Sequence, residues 1–193
     1  MNETYRQAFK DTVARTLFRE GKRGKSLIQD IHEEEYAFSL VFRVKDNFGV
    51  VFRLEDIKEQ AKYLNGGSRA RGKDNDCTII DDAIFQIEVK NNKKIGHTHA
   101  NQQFRGGELW LRHLLRLVAN GDPDIITQTE RPIYRLVLKR SRRSSLSRTH
   151  AYPILNHETN YQIIIGTNER RIDLTRTKNE LMQKYAARKF QLE

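Results

Sequence analysis

Two short apolar segments separated by a tight turn constrain the fold of this chain more than any other feature. The first segment, CTIID, follows directly after Asp76, and the second, IFQIEVK, ends at Lys90. The two residues between them, Asp82-Ala83, leave room only for a reversal of the chain. The sequence therefore predicts two adjacent strands of one sheet, joined by a tight turn.

The flanking segments complete an α/β pattern. Helices are predicted over about 55–64 and 100–119, and a further strand over 133–138. Gly106-Gly107 disfavours helix within the first turns of the second helix, so its start is not defined by the sequence. Gly121 and Pro123 mark its end. The order helix, strand, strand, helix, strand indicates a mixed central sheet flanked by helices.

The chain is long enough for one domain with a hydrophobic core. We expect a single domain over residues 1–193, with its core at about 55–140 and a C-terminal extension over 141–193. The extension is predicted to contain a Ser/Arg-rich loop, a strand and a helix, at 141–148, 161–165 and 178–192.

The N-terminal part is predicted to contain one helix and one hairpin. An amphipathic helix is expected over 3–19 from its apolar stripe. The strand-like segments 36–44 and 48–54 are joined by Lys45-Asp46-Asn47, which indicates a turn between paired strands.

The charge balance favours a polyanionic partner. The chain has 35 Lys and Arg against 25 Asp and Glu, which gives a formal charge of +10 and a pI near 9.8. Such a surplus attracts polyanions, of which nucleic acid is the commonest. A membrane surface is the rival, but no helix pairs lysines with a broad apolar face. We expect nucleic acid and no membrane.

The sequence also indicates where the protein works. No apolar run approaches the length of a membrane span, and the N-terminus MNETYRQAFK lacks the pattern of a signal peptide. The single cysteine, Cys77, cannot form an intramolecular disulfide or a multi-cysteine zinc site. We expect a cytoplasmic or nucleoid-associated protein without a secretion signal.

Three charged residues are expected to converge at one end of the predicted strand pair. Side chains two residues apart on a strand share a face, so Glu88 and Lys90 project together. A tight turn can bring Asp76 beside Glu88. Two carboxylates supply the hard oxygen ligands that Mg²⁺ prefers, and the metal can neutralise a phosphate and activate a water. A lysine beside them can orient that water or stabilise the developing charge.

This pattern resembles the PD-(D/E)XK nuclease superfamily. Asp76 matches its first acid, Glu88 and Lys90 match its second acid and its lysine, and Asn75 stands where the motif has proline. The resemblance covers about residues 55–140. It implies a restriction-endonuclease-like core, catalysis by Asp76, Glu88 and Lys90, and dependence on Mg²⁺, for which Mn²⁺ can substitute.

The resemblance also implies supporting residues. A further upstream acid often completes such a site, and Glu55 and Glu59 are the candidates as metal ligands. Glu55 and Glu59 are four residues apart and so share one helix face. The alternative is that they lie on a solvated surface and pair with Lys58 or Lys62. Similar nucleases often place a glutamine on the following helix. Gln102 or Gln103 is expected to support the substrate or the lysine, the alternative being an amide on the helix surface.

Basic residues near these positions are candidates for binding the phosphate backbone. Residues 131–150 contain seven Arg or Lys and no acid. The candidates for substrate binding are Arg69, Arg71, Arg105, Arg140, Arg142 and Arg143. Each of them is also compatible with a solvated surface.

Three classes of function remain open at the level of sequence. The first is a metal-dependent endonuclease of DNA, of the restriction or junction-resolving type. The second is an RNA endonuclease with the same site, and the third is a nucleic-acid-binding module without catalysis. Cleavage of both strands usually needs two active sites, so a homodimer is expected for the first class.

Overall fold

Two β-sheets packed face to face form the framework of this protein. The computed structural model describes residues 3–21, 26–33, 36–44, 49–61, 74–90, 97–141, 154–156, 160–166 and 171–189. This part of the chain contains ten strands and five α-helices. One face of the larger sheet is covered by helices and the other by the smaller sheet.

The larger sheet is mixed and has seven strands. They are β1 (Phe18–Glu20), β4 (Val50–Phe52), β5 (Cys77–Ile80), β6 (Ile84–Lys90), β7 (Ile133–Ser141), β8 (Ile154–Asn156) and β9 (Asn160–Gly166). Their order across the sheet is β1, β4, β5, β6, β7, β9, β8. β6 is antiparallel to β5 and parallel to β7. The predicted mixed sheet with its adjacent strand pair is therefore confirmed.

The smaller sheet covers one face of this framework. It consists of β2 (Ser26–Glu33), β3 (Tyr36–Arg43) and β10 (Arg171–Asp173), with β3 in the middle. Its apolar side chains, such as Leu40 and Phe42, pack with Ile79, Phe85 and Ile87 of the larger sheet in one buried core. Since this face is sealed by a second sheet, the strands beneath it are rich in buried apolar residues.

Helices cover the other face. They are α1 (Glu3–Thr12), α2 (Leu54–Glu59), α3 (His97–Ala119) and α4 (Pro123–Thr129), while α5 (Leu174–Lys189) lies beside β3. Phe9 of α1 and Leu111 of α3 pack with Ile80 and Ile84 of the sheet in a second core. Within the described ranges, no helix is both long and apolar enough to cross a membrane.

β6 is buried on both faces and alternates between the two cores. Phe85 and Ile87 belong to the core under the smaller sheet, whereas Ile84 packs with the helices. Gln86 faces the helices too, because its Nε2 donates to the carbonyl oxygen of Phe104 on α3 at 3.2 Å. The period of a strand therefore directs Glu88 toward the helical layer, on the same side as Gln86.

The predicted hairpin of 36–44 and 48–54 is wrong. Both segments form strands, β3 and β4, but they lie in different sheets. β3 pairs with β2 and β10, whereas β4 pairs with β1 and β5. Strand β2, which the sequence analysis did not assign, takes the place beside β3 that the prediction gave to β4.

The helix boundaries also differ from those predicted. α1 ends at Thr12, and a 3₁₀ turn at Arg15–Leu17 leads into β1, so the helix predicted over 3–19 is too long. α3 begins at His97 and continues through Gly106-Gly107. α4 was not predicted. Pro123 is its first residue, and the side chain of Asp122 accepts hydrogen bonds from the backbone of Asp124 and Ile125.

Gly107 lies where α3 packs against Asn75, just before β5, and Gln86 of β6. A Cβ built on it would clash with Oδ1 of Asn75 and would lie 3.0 Å from Nε2 of Gln86. Both amides are buried in a hydrogen-bonded arrangement. The absence of a side chain at this position therefore lets the helix pack on the sheet.

We predict that Gly107→Ala destabilises the protein by about 1–3 kcal/mol, because the added methyl group overpacks a rigid contact. An ordinary helical position would gain about 1 kcal/mol from the same substitution. Thermal unfolding should show a fall in Tm of roughly 2–4 °C per kcal/mol. In a double-mutant cycle, Asn75→Ala should relieve part of the cost, and strict additivity would contradict the assigned clash.

Candidate active site

The register of β5 and β6 brings Asp76 and Glu88 together. Cys77 is the first residue of β5 and pairs with Ile87. The preceding residue, Asp76, therefore lies across from Glu88. The backbone N–H of Val89 donates to Oδ2 of Asp76 at 2.6 Å, which holds this carboxylate over the end of β6.

Lys90 joins the two acids from the same face of β6. Its ammonium donates to Oε1 of Glu88 and to Oε1 of Gln103 on α3, the latter at 3.0 Å. Nε2 of Gln103 donates to the backbone carbonyl of Asp74 at 3.4 Å. The three sequence-predicted residues, Asp76, Glu88 and Lys90, are thus brought together, with Gln103 closing the arrangement from the helix.

Glu88 is in an unfavourable environment for a charged carboxylate. Its side chain is 2% exposed, and its Oε2 has no hydrogen-bond partner among the residues that the structure describes. Its pKa is raised to about 8, first by burial and then by the negative charge of Asp76, while Lys90 and a hydrogen bond from Gln103 lower it. A buried carboxylate beside a second one is costly unless a cation compensates it.

Oxygen ligands of this kind suit a hard divalent cation. Asp76 and Glu88 converge from neighbouring strands, and the buried Oε2 of Glu88 lacks a protein donor in the described part of the chain. The residues therefore fit a Mg²⁺ ion. Within the described ranges, no group of three or more His, Cys, Asp or Glu forms a metal-binding cluster. Two protein carboxylates with water ligands are a usual Mg²⁺ arrangement.

Asp74 is a buried acid that the sequence analysis did not single out. Its carboxylate accepts from Lys58 of α2 at 2.6 Å, and both side chains are at most 6% exposed. Burial raises the pKa of Asp74, which the Lys58 charge opposes. The Lys58 ammonium also lies 5.2 Å from the centre of the Trp110 ring. In the sequence, Asp74 could have been noticed because it stands two residues before Asp76, but it lies within the polar run SRARGKDND.

The remaining predicted ligands and contacts fall outside this group. Glu55 and Glu59 are exposed on α2, and Glu55 accepts from Arg53 at 2.6 Å. Lys58, their suggested partner, is paired with Asp74 instead. Gln102 and Arg105 are exposed near the start of α3, so Gln103 is the glutamine that faces Lys90.

The other basic candidates are not located by the structure. Arg69, Arg71, Arg142 and Arg143 lie outside the described residues, and for Arg140 only the backbone, in β7, is described. Of the seven basic residues at 131–150, Arg135 forms an ion pair with Glu108 inside the protein. That residue therefore contributes less to an external basic surface than the sequence suggested.

Comparisons with protein-family models, with curated proteins and with solved structures gave no match to this chain. The family assignment accordingly stays a prediction that rests on the pattern of Asp76, Glu88 and Lys90.

We predict that Glu88→Gln changes how stability depends on pH in metal-free buffer. The folded-state pKa of Glu88, about 8, lies above the ordinary value of 4.5. Folding therefore favours the protonated acid, and the wild type loses stability as pH rises from about 4.5 through 8. Glutamine does not titrate, so the stability of the variant relative to the wild type should increase across this pH range.

Thermal unfolding of both proteins between pH 5 and pH 9 checks this sign. The Tm difference between variant and wild type should increase with pH, and effects of titrating groups distant from Glu88 cancel in the difference. Parallel curves would show that Glu88 is not held in a low-dielectric environment beside a second acid.

Proposed function

We propose that this protein is a Mg²⁺-dependent endonuclease with a restriction-endonuclease-like core, which hydrolyses phosphodiester bonds of DNA. The observation that carries the proposal is the pair of carboxylates on adjacent strands. Glu88 is buried with one oxygen unpartnered among the described residues, and Asp76 lies across from it. A purely structural ion pair with Lys90 would need only one acid.

Asp76 and Glu88 would hold the metal ion, Mg²⁺ or Mn²⁺. When bound, a divalent ion neutralises charge on a scissile phosphate and lowers the pKa of a water molecule. The chain supplies the orientation: the Val89 N–H fixes the Asp76 carboxylate, and β6 directs Glu88 to the same side.

Lys90 would act on the reacting groups directly. An ammonium has three N–H donors, and two of them are directed at Glu88 and Gln103. The side chain is 28% exposed, so a substrate can reach it. The remaining donor can orient an attacking water or stabilise the negative charge that develops on the phosphate.

The surroundings of the site favour a phosphate-bearing substrate. Gln103, in the N-terminal half of α3, lies beside the site, where it accepts a hydrogen bond from Lys90. Gln102 and Arg105 are exposed in the same half of the helix. Together with the formal charge of +10, these features support binding of nucleic acid. We propose Arg69, Arg71, Arg140, Arg142 and Arg143 as further phosphate contacts.

We take double-stranded or branched DNA as the substrate, cleaved by a homodimer of the restriction or junction-resolving type. The direct experiment is incubation of the protein with duplex, branched and single-stranded DNA and with RNA. Each substrate is tested with Mg²⁺, with Mn²⁺ and with EDTA. Cleavage of RNA alone would reassign the substrate, and binding of nucleic acid without cleavage in any metal would leave a binding module.

We predict that Lys90→Ala abolishes cleavage and leaves DNA affinity nearly unchanged, because one phosphate contact among many is lost. Lys178→Ala is the matched control: Lys178 is also part-buried and ion-paired, with Asp82 at the opposite end of the β5–β6 pair. Single-turnover rates and filter-binding affinities separate the two effects. Wild-type cleavage rates in both variants would show that Lys90 is an ordinary ion-paired lysine.

A second prediction concerns the metal. Mg²⁺ or Mn²⁺ should raise the Tm of the wild type, because a ligand that binds only the folded state stabilises it by about 2.7 kcal/mol at 100 times its Kd. Asp76→Asn should lose this shift, whereas Lys90→Ala should keep it or increase it. If millimolar metal leaves the Tm of the wild type unchanged, with DNA present, the proposed metal site is wrong.

A further inference from the structure

We propose that Asn75 is a positioning residue for the Asp76 carboxylate. Its buried side-chain amide connects the backbone on either side of Asp76 to β6 and α3. This inference rests on the proposed function for its catalytic meaning, since it concerns the same site. Its geometric content, the placement of Asp76 by Asn75, can be tested without metal or substrate.

The strand pairing of β5 with β6 stops one residue short of Asp76, whose carboxylate is held by the backbone N–H of Val89. The β5–β6 ladder begins at Cys77, so Asp76 lies one residue before the first strand pair. The segment before it has no strand pairing in the described residues, since 74–76 precede β5. A residue at the end of a ladder is free to fray unless side chains hold it. A side-chain hydrogen bond across this residue would limit such fraying and keep the Asp76 carboxylate within reach of the Val89 N–H.

Asn75 supplies that support around Asp76. Its Nδ2 donates to the backbone carbonyl of Cys77 at 2.6 Å and to Oγ1 of Thr78 at 3.2 Å. The first of these bonds spans the residue between its partners, which is Asp76. Asn75 is 3% exposed, so the bond is not in competition with bulk water.

The same amide is fixed from the other side by β6 and α3. Oδ1 of Asn75 accepts from Nε2 of Gln86 at 3.2 Å, and this Nε2 also donates to the carbonyl of Phe104. Gln86 in turn accepts from Arg135 of β7 at 3.4 Å. Gly107 leaves room for the amide where α3 crosses it. Asn75 is thereby bonded directly to β5 and β6, and through Gln86 to α3 and β7.

Asn75 occupies the position where the resembling motif has proline. Proline stiffens the backbone through its ring but has no side-chain donor. Here the stiffness comes from hydrogen bonds whose partners, Gln86 and Gly107, lie far away in the sequence. At this position side-chain hydrogen bonds therefore hold the backbone next to Asp76.

The test compares Asn75→Ala with Thr78→Val. Both remove a buried hydrogen bond of this group, but only the first removes the bond across Asp76. The direct readout is amide exchange of Val89, measured by NMR on the full chain, because this N–H donates to Asp76. Asn75→Ala should speed exchange of Val89 at least about tenfold relative to Ile87, and Thr78→Val should not.

The second readout is affinity for Mn²⁺, measured by calorimetry. Loss of a group that orients a ligand typically weakens metal binding by about 10–100-fold. We expect this for Asn75→Ala and wild-type affinity for Thr78→Val. If the alanine variant does not fold, Asn75→Thr serves instead, since it is uncharged, nearly keeps the side-chain volume and lacks the amide donors.

The outcomes distinguish this inference from the proposed function. If Val89 exchange and Mn²⁺ affinity are the same in both variants, Asn75 has only a structural role and the inference fails. If the wild type binds no Mn²⁺, the proposed function fails, while Val89 exchange still decides whether Asn75 places Asp76.

Discussion

The hydrogen-bonded pairing of β5 with β6 determines where the charged groups of the candidate site lie. With Cys77 opposite Ile87, Asp76 meets Glu88 at the end of the sheet that faces α3. A shift by one residue would turn Glu88 into the apolar core under the smaller sheet. That shift is opposed on both faces, because alternate residues of β6 fill two separate cores.

The same two-sided burial creates the electrostatic character of the site. Because a sheet covers one face and helices the other, Glu88 is removed from water while Lys90 at the strand end keeps some exposure. The protein compensates Glu88 only in part, through Lys90 and Gln103, and leaves one oxygen without a donor among the described residues. Stability is thus lowered where affinity for a cation would be gained, as is common at functional sites.

The parts of the fold that can be predicted from the sequence are those that depend on residues close together in the chain. The strand pair was recognisable because its two strands and its turn are contiguous, and Glu88 and Lys90 follow from the period of a strand. Non-local pairing was not recognisable: β3 and β4 look like a hairpin, yet their partners come from elsewhere in the chain. The same holds for the Lys58–Asp74 pair and for the Asn75–Gln86 bond, which depend on how α2, α3 and β6 meet.

The parallel pairing of β10 with β3 has a consequence for how the protein is made. β10, at Arg171–Asp173, completes a sheet whose other two strands lie within the first quarter of the chain. Ile172 and Leu174 also enter the core under that sheet. On a ribosome, β2 and β3 emerge long before β10, so the edge of β3 that β10 will occupy stays unpaired in the meantime. Such long-range closure slows folding and lengthens the time during which this strand edge is open to intermolecular pairing.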